Sequence, residues 1–258
     1  MSSEQHETVR FQVDGHLALL TLNRPEKLNA ISRRMAREIA EAVADLGDAR
    51  VLVVTGNERA FSAGADLSER GDPDERFSTL VAYDGVASVA IPTIAAIEGY
   101  ALGGGLELAM CCDLRVAAET ARLGQPEVLR GILPGGGGTQ RLPRLIGPGR
   151  AKDLLFTGRH ISGATAEQWG LVNRLTPPGQ ALDASMRLAR ELAELSGPLA
   201  LREIKMLVNH GYDLMLDEAL ELERERAAYI YTTADSAEGI QAFLERRKPE
   251  FRGKPGGE

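Results

Sequence analysis

The chain has 258 residues, enough for one large domain or two small ones, and its 43% hydrophobic and 26% charged residues are the balance of an ordinary globular protein. Its formal net charge of −7 argues against nucleic acid as the main partner, which demands a basic surface, but leaves room for an anionic small ligand held by a local cationic patch. No apolar run reaches the roughly 18 residues needed to cross a membrane, so no membrane partner is expected.

The first thirteen residues are polar and acidic, with neither a basic n-region nor an apolar h-region, so no secretory leader and a cytoplasmic location are expected. Residues 17–22, Leu-Ala-Leu-Leu-Thr-Leu, read as a strand closed by the turn signal Asn23-Arg24-Pro25. Residues 32–46 place Met35, Ile39, Ala42, Val43 and Leu46 at helical spacing. Residues 51–55, Val-Leu-Val-Val-Thr, form a run of the kind buried on both faces of a parallel sheet. Further strands are expected over residues 92–97, 114–117 and 171–175, and this alternation with helices indicates an α/β core. After Pro177-Pro178-Gly179 the pattern becomes helical over residues 180–195, 198–209, 213–231 and 235–246, and residues 253–258 read as a frayed end. The only cysteines, Cys111 and Cys112, are adjacent and imply no disulfide framework. The four histidines lack metal-ligand spacing, so no metal site is expected.

Four glycine-bearing segments carry chemical interest. In residues 61–67, Phe-Ser-Ala-Gly-Ala-Asp-Leu, small residues let a ligand approach the main chain, and the Ala63 N–H is a candidate donor to a substrate oxygen. Asp66 reads equally as a helix cap, with Glu69 completing an Asp-x-x-Glu capping box. Gly103-Gly104-Gly105 precede Glu107, a carboxylate in a segment otherwise apolar on every face. Burying that acid costs several kcal/mol unless it is paired, so it is either a satisfied structural residue or a catalytic one. Amides at a helix start beside it favour an oxyanion. Gln125-Pro126-Glu127 reads by itself as a helix start. Residues 131–141, with Gly135 to Gly138, lack the Gly-Lys-Ser/Thr ending of a phosphate loop. Their glycines are expected to allow close backbone packing before a helix around residues 139–145.

Taken in order, Asn23-Arg24-Pro25 with Asn29-Ala30, Ser62 to Leu67, Gly99 to Gly105 with Glu107, Gln125-Pro126-Glu127 and Pro134 to Thr139 resemble the crotonase, or enoyl-CoA hydratase/isomerase, family. Thr157-Gly158 with Ala164 and Ala166, Gly170-Leu171-Val172 and residues 243–249 extend the likeness over almost the whole chain. The resemblance implies an α/β fold: a spiral of β-β-α units over residues 1–195, with a helical trimerisation region over residues 196–258. It implies a homotrimer or homohexamer acting on an acyl-CoA thioester. Two backbone amides, placed by position at Ala63 and Gly104, would polarise the thioester carbonyl.

The similar hydratases use two glutamates, which match Glu107 as water-activating base and Glu127 as acid, so reversible hydration of a 2-enoyl-CoA to a 3-hydroxyacyl-CoA is implied, with no metal or redox cofactor. Isomerisation, hydration of other acyl-CoA esters and, more remotely, a non-catalytic RNA- or protein-binding role are the alternatives. By the same likeness, substrate and CoA contacts fall on Arg24, Lys27, Leu28, Ala30, Ala65, Asp66, Leu67, Leu102, Gly103 and Pro126. Tyr83, Val86 and Leu129 are further candidate walls for the acyl chain. Lys248, in a basic run with Arg246, Arg247, Arg252 and Lys254, is a candidate for the CoA phosphates.

Overall fold

The computed structural model describes residues 6–69 and 78–253. In chain order the elements are β1 (Val9–Asp14), β2 (Leu17–Leu22), α1 (Arg33–Ala44), β3 (Val51–Thr55), β4 (Ala60–Ser62), α2 (Leu80–Ser88), β5 (Thr93–Ile97), β6 (Tyr100–Leu102) and α3 (Gly104–Cys111). Then come β7 (Leu114–Ala118), β8 (Arg122–Gly124), α4 (Gly138–Ile146), α5 (Pro148–Thr157), β9 (His160–Ser162), α6 (Gly163–Gln168) and β10 (Arg174–Thr176). Four helices follow: α7 (Ala181–Leu195), α8 (Pro198–Gly211), α9 (Leu216–Tyr231) and α10 (Ala234–Glu245).

Strands are dealt alternately to two sheets. One has the order β1-β2-β3-β5-β7-β10 and the other β4-β6-β8-β9. Within each pair β3-β4, β5-β6 and β7-β8, the first strand joins the large sheet and the second the small one. A helix follows the first two pairs and a 3₁₀ turn, Pro126–Arg130, follows the third. That is the expected spiral of β-β-α units. The spiral strands run parallel, and only the β1-β2 and β8-β9 pairs are antiparallel.

Continuous apolar strands are needed because both faces of the large sheet are covered. Leu52, Val54, Ala95 and Ile97 face the main core, with Ile39 of α1 and Leu106 of α3. Val51, Val53, Ile94 and Ala96 face the other way, onto Leu188, Ala189 and Ala193 of α7.

Two strand expectations need correction. β1 is absent from the sequence reading, although Val9, Phe11 and Val13 alternate and Gly15, at φ +56°, opens the two-residue hairpin loop Gly15-His16 between the paired Asp14 and Leu17. The last strand covers Arg174–Thr176 and not residues 171–175. Leu171 and Val172 are buried in the turn after α6, where the Leu171 carbonyl accepts from Nε of the buried Arg115 at 2.6 Å. The Asp66-x-x-Glu69 capping box also does not form. The Glu69 carboxylate accepts from the Arg33 amide at 2.7 Å, and the Asp66 amide donates to Ile31 O.

A polar junction ties α8 to the large sheet. Asp113 Oδ2 accepts from the Thr93 amide and hydroxyl at 2.7 and 2.9 Å and from Lys205 Nζ at 2.8 Å. Asp113→Ala leaves all three donors without their carboxylate. It is expected to lower the unfolding free energy by about 2–3 kcal/mol, as measured by urea titration. A loss below about 0.5 kcal/mol, the range of neutral surface changes, would show that the junction carries no stability. Beyond α8, no residue of α9 is buried, and Met215, Leu216, Tyr231, Phe243 and Leu244 stand exposed.

Candidate active site

The site is assembled where the short strands of the small sheet end. After β4 the chain turns through Gly64, at φ +105°, and Ser62 Oγ locks the turn by donating to Asn29 O at 2.8 Å and accepting from the Gly64 amide at 3.2 Å. Leu28 and Asn29 both adopt left-handed conformations, and the Asn29 side chain, wholly buried, holds the Arg24 amide and Ala60 O. Arg24 then reaches Ala30 O at 2.6 Å and Asp66 Oδ2 at 2.9 Å. Ser68 and Arg24 together hold the Asp66 carboxyl below its ordinary value.

The segment from Arg24 to Ala30 therefore braces the 62–66 loop from behind. Arg24, Lys27, Leu28 and Ala30, expected to meet CoA, are not among the residues lining the cavity described below.

The expectation for Ala63 is corrected by the same bracing. Its N–H donates to Leu28 O at 2.9 Å and is not free for a ligand. Two residues on, the Ala65 amide has no partner among the described residues, and it faces Gly104. A β-carbon built on Gly104 would stand 3.3 Å from the Ala65 nitrogen. Gly104 opens α3, so its amide lies in the first turn, where the helix offers no acceptor. The convergent amides are thus those of Ala65 and Gly104. Residue spacing could not separate Ala63 from Ala65, because the distinction is which of the two donates to a distant carbonyl.

Each glycine of the triplet answers a different close approach. A β-carbon on Gly103 would meet Glu127 Oε1 at 2.8 Å, and one on Gly105 would meet Ser62 O at 2.3 Å. Every residue of α3 is buried, including Glu107 at 3% exposure. Glu107 Oε1 accepts from the Gly138 amide at 2.7 Å. A β-carbon on Gly136 would lie 3.0 Å from its Oε2. The 135–138 glycines thus do more than pack: they bring backbone to a buried carboxylate, a partnership absent from the sequence reading. Burial raises the Glu107 pKa, while the Gly138 and Gly136 amides and Arg141 oppose that rise.

Glu127 stands on the 3₁₀ turn opened by Pro126, so the helix-start reading of Pro126-Glu127 and its place in the site are both true. The buried Gln125 amide lies 3.0 and 3.1 Å from the two Glu127 carboxylate oxygens and turns its NH₂ toward them, since an oxygen there would face only acceptors. Burial, reinforced by the Glu107 charge, pushes the Glu127 pKa up to about 7. Gln125, part of a quoted motif but given no role in the sequence reading, is thereby a contact of the second acid.

Both acids open onto one cavity of about 1040 Å³. Ala63, Ala65, Asp66, Leu67, Leu102, Gly103, Gly104 and Pro126 line it, as do Tyr83 and Leu129. Val86 does not, being wholly buried in the core. Arg33, Arg130 and His160 also line the cavity, and none of them carries a role in the sequence reading. In the basic tail, Arg247 is spent on Glu238 and Glu245, Lys248 is exposed outside this cavity, and Lys254 and residues 254–258 lie outside the described residues.

The family model described as enoyl-CoA hydratase/isomerase matches residues 12–254, and the chain belongs to that family. It is 39% identical to the crotonyl-CoA hydratase of Syntrophomonas wolfei, over 96% of this chain and 99% of that protein. The solved enoyl-CoA hydratase of Bacillus anthracis superposes with a TM-score of 0.92 at 37% identity, covering 96% of this chain and all of that one. The enoyl-CoA hydratase structure from Mycobacterium tuberculosis gives 0.88 at 35% identity, over 96% and 99% of the two chains.

Proposed function

We propose that this member of the family is a hydratase that adds water reversibly across the double bond of a 2-enoyl-CoA. The single observation that carries the reading is the meeting of two carboxyls, the buried Glu107 and the half-buried Glu127, on one cavity beside two convergent amides. The Ala65 and Gly104 amides hold the thioester oxygen. Glu107 takes a proton from water while the water oxygen bonds to the β-carbon. The π electrons move to the thioester oxygen as an enolate, which the amides stabilise. Glu127 then protonates the α-carbon, and the C–O bond formed is that of the 3-hydroxyacyl-CoA. One acid ends protonated and the other ionised, so the return reaction uses the same two groups in exchanged roles.

The environments support this division. Glu107 accepts a backbone amide and lies near Arg141, both of which favour its charged form. Glu127 holds its proton to about pH 7. The expected assay is loss of the conjugated enoyl-thioester absorbance with crotonyl-CoA. A 3-enoyl-CoA run beside it tests the isomerase reading, which the family description equally covers. Turnover of the 3-enoyl ester alone would replace hydration by isomerisation.

A pH profile follows. The α-carbon proton comes from protonated Glu127, so kcat/KM is expected to fall above about pH 7, by up to tenfold per unit. On the acid side the rate falls as Glu107 gains its proton, above the ordinary carboxylate range because burial raises its pKa. The two limbs belong to the coupled pair. A flat profile from pH 6 to 9 would remove a titrating acid from the mechanism.

Arg130 supplies positive charge for the CoA phosphates. The apolar side chains exposed on α9 and α10 are the surface on which a homotrimer or homohexamer would form.

A further inference from the structure

We propose that the Tyr83 hydroxyl is a third donor to the thioester oxygen, converging with the Ala65 and Gly104 amides; this rests on the oxyanion-hole reading above. Helix α2 carries Tyr83 into the cavity wall opposite α3. A β-carbon on Gly104 would stand 2.5 Å from the Tyr83 hydroxyl oxygen and 3.3 Å from the Ala65 nitrogen, so both groups crowd the edge of Gly104. The ring is held from its other side. A β-carbon on Gly136 would meet Cε2 at 2.8 Å and Cδ2 at 3.0 Å. Two side-chain-free backbones therefore clamp the phenol in one orientation, the preorganisation that oxyanion donors require.

The hydroxyl has no hydrogen-bond partner among the described residues, although the residue is only 3% exposed. A buried tyrosine normally finds a partner for its O–H. Here the open side is the cavity. A wall needed only to pack against an acyl chain would be served by phenylalanine, without the cost of covering a polar group. Burial and the nearby Glu107 and Glu127 charges hold the phenol in its protonated form, so it can donate to a developing anion but does not become one. In the enolate-like state, charge gathers on the thioester oxygen, and a fixed neutral donor there lowers the barrier without taking part in proton transfer.

Tyr83→Phe keeps the ring and its packing and removes only the donor. The variant is expected to melt like the wild type. Its kcat should fall on the order of 10²-fold with little change in KM, by the same factor for a four-carbon and a longer 2-enoyl-CoA. The second readout needs no turnover. A para-amino cinnamoyl-CoA absorbs at longer wavelength as its carbonyl is polarised, and the red shift on binding should be smaller in Tyr83→Phe than in the wild type. An unchanged red shift, or a loss confined to one chain length, would make Tyr83 a wall and overturn the proposal. If the wild type hydrates no 2-enoyl-CoA, the proposed function fails, and the red shift alone still decides the role of Tyr83.

Discussion

Glu107→Gln is expected to reduce hydration of crotonyl-CoA by about 10²- to 10⁴-fold while leaving the fold intact. Gln offers the same acceptor oxygen to the Gly138 amide that Glu107 holds at 2.7 Å, so the buried hydrogen bond survives and only the base is lost. Glu127→Gln removes the other member, with a loss of the same order. The residual activity of that variant should no longer fall above about pH 7, because the group titrating there is gone. If both carboxyls serve one proton circuit, the double variant should be little worse than either single one, since groups acting as a unit are not additive. Steady-state rates and thermal melts check all three. A wild-type rate in either single variant would take that acid out of the mechanism.

Gly104→Ala carries the second large effect, and Gly105→Ala is its contrast. At position 104 the new β-carbon meets the Tyr83 hydroxyl at 2.5 Å, the far end of a side chain, and crowds the gap toward the Ala65 amide. The protein should fold, with kcat reduced about 10²- to 10³-fold, the cost of spoiling one oxyanion donor. At position 105 the β-carbon meets Ser62 O at 2.3 Å, and that atom is backbone at the end of β4. The clash there cannot be relieved by a rotamer change, so the loss should appear in stability, by 1–3 kcal/mol or more. Melting temperature and kcat measured side by side separate the two residues. A Gly104→Ala variant with full activity would show that a methyl at this edge disturbs neither the Tyr83 hydroxyl nor the Ala65 amide, and would overturn the crowding argument.

The fold was largely legible in the sequence. Residues 51–55 are β3 to the residue, and the helices after Pro177 fall within a few positions of α7 to α10. Both features rest on local patterning: a β-branched run buried on two faces, and apolar spacing at the helical period. The second sheet was not legible. β4, β6, β8 and β9 have three residues each, too few for alternation to show.

In the site, Gly104, Glu107 and Glu127 emerged from the ordered set of motifs, and the cavity brings them together. Arg24 entered the sequence reading only as part of a CoA-lining segment, and the fold shows its guanidinium held by Asp66 and Ala30 O.

What the sequence by itself determined is the inventory: a buried acid after three glycines, a second acid after a proline, and the family they resemble. Those follow from residue type and order, which the chain carries without folding. Only the tertiary structure decided which amide is free, which glycine reaches Glu107 and which hydroxyl faces the cavity. Hydrogen bonds between segments far apart in sequence commit some groups and release others. Ala63 lost its candidacy to Leu28 O, Ala65 gained it, and the glycines of residues 135–138 became the partners of the acid that the triplet introduces.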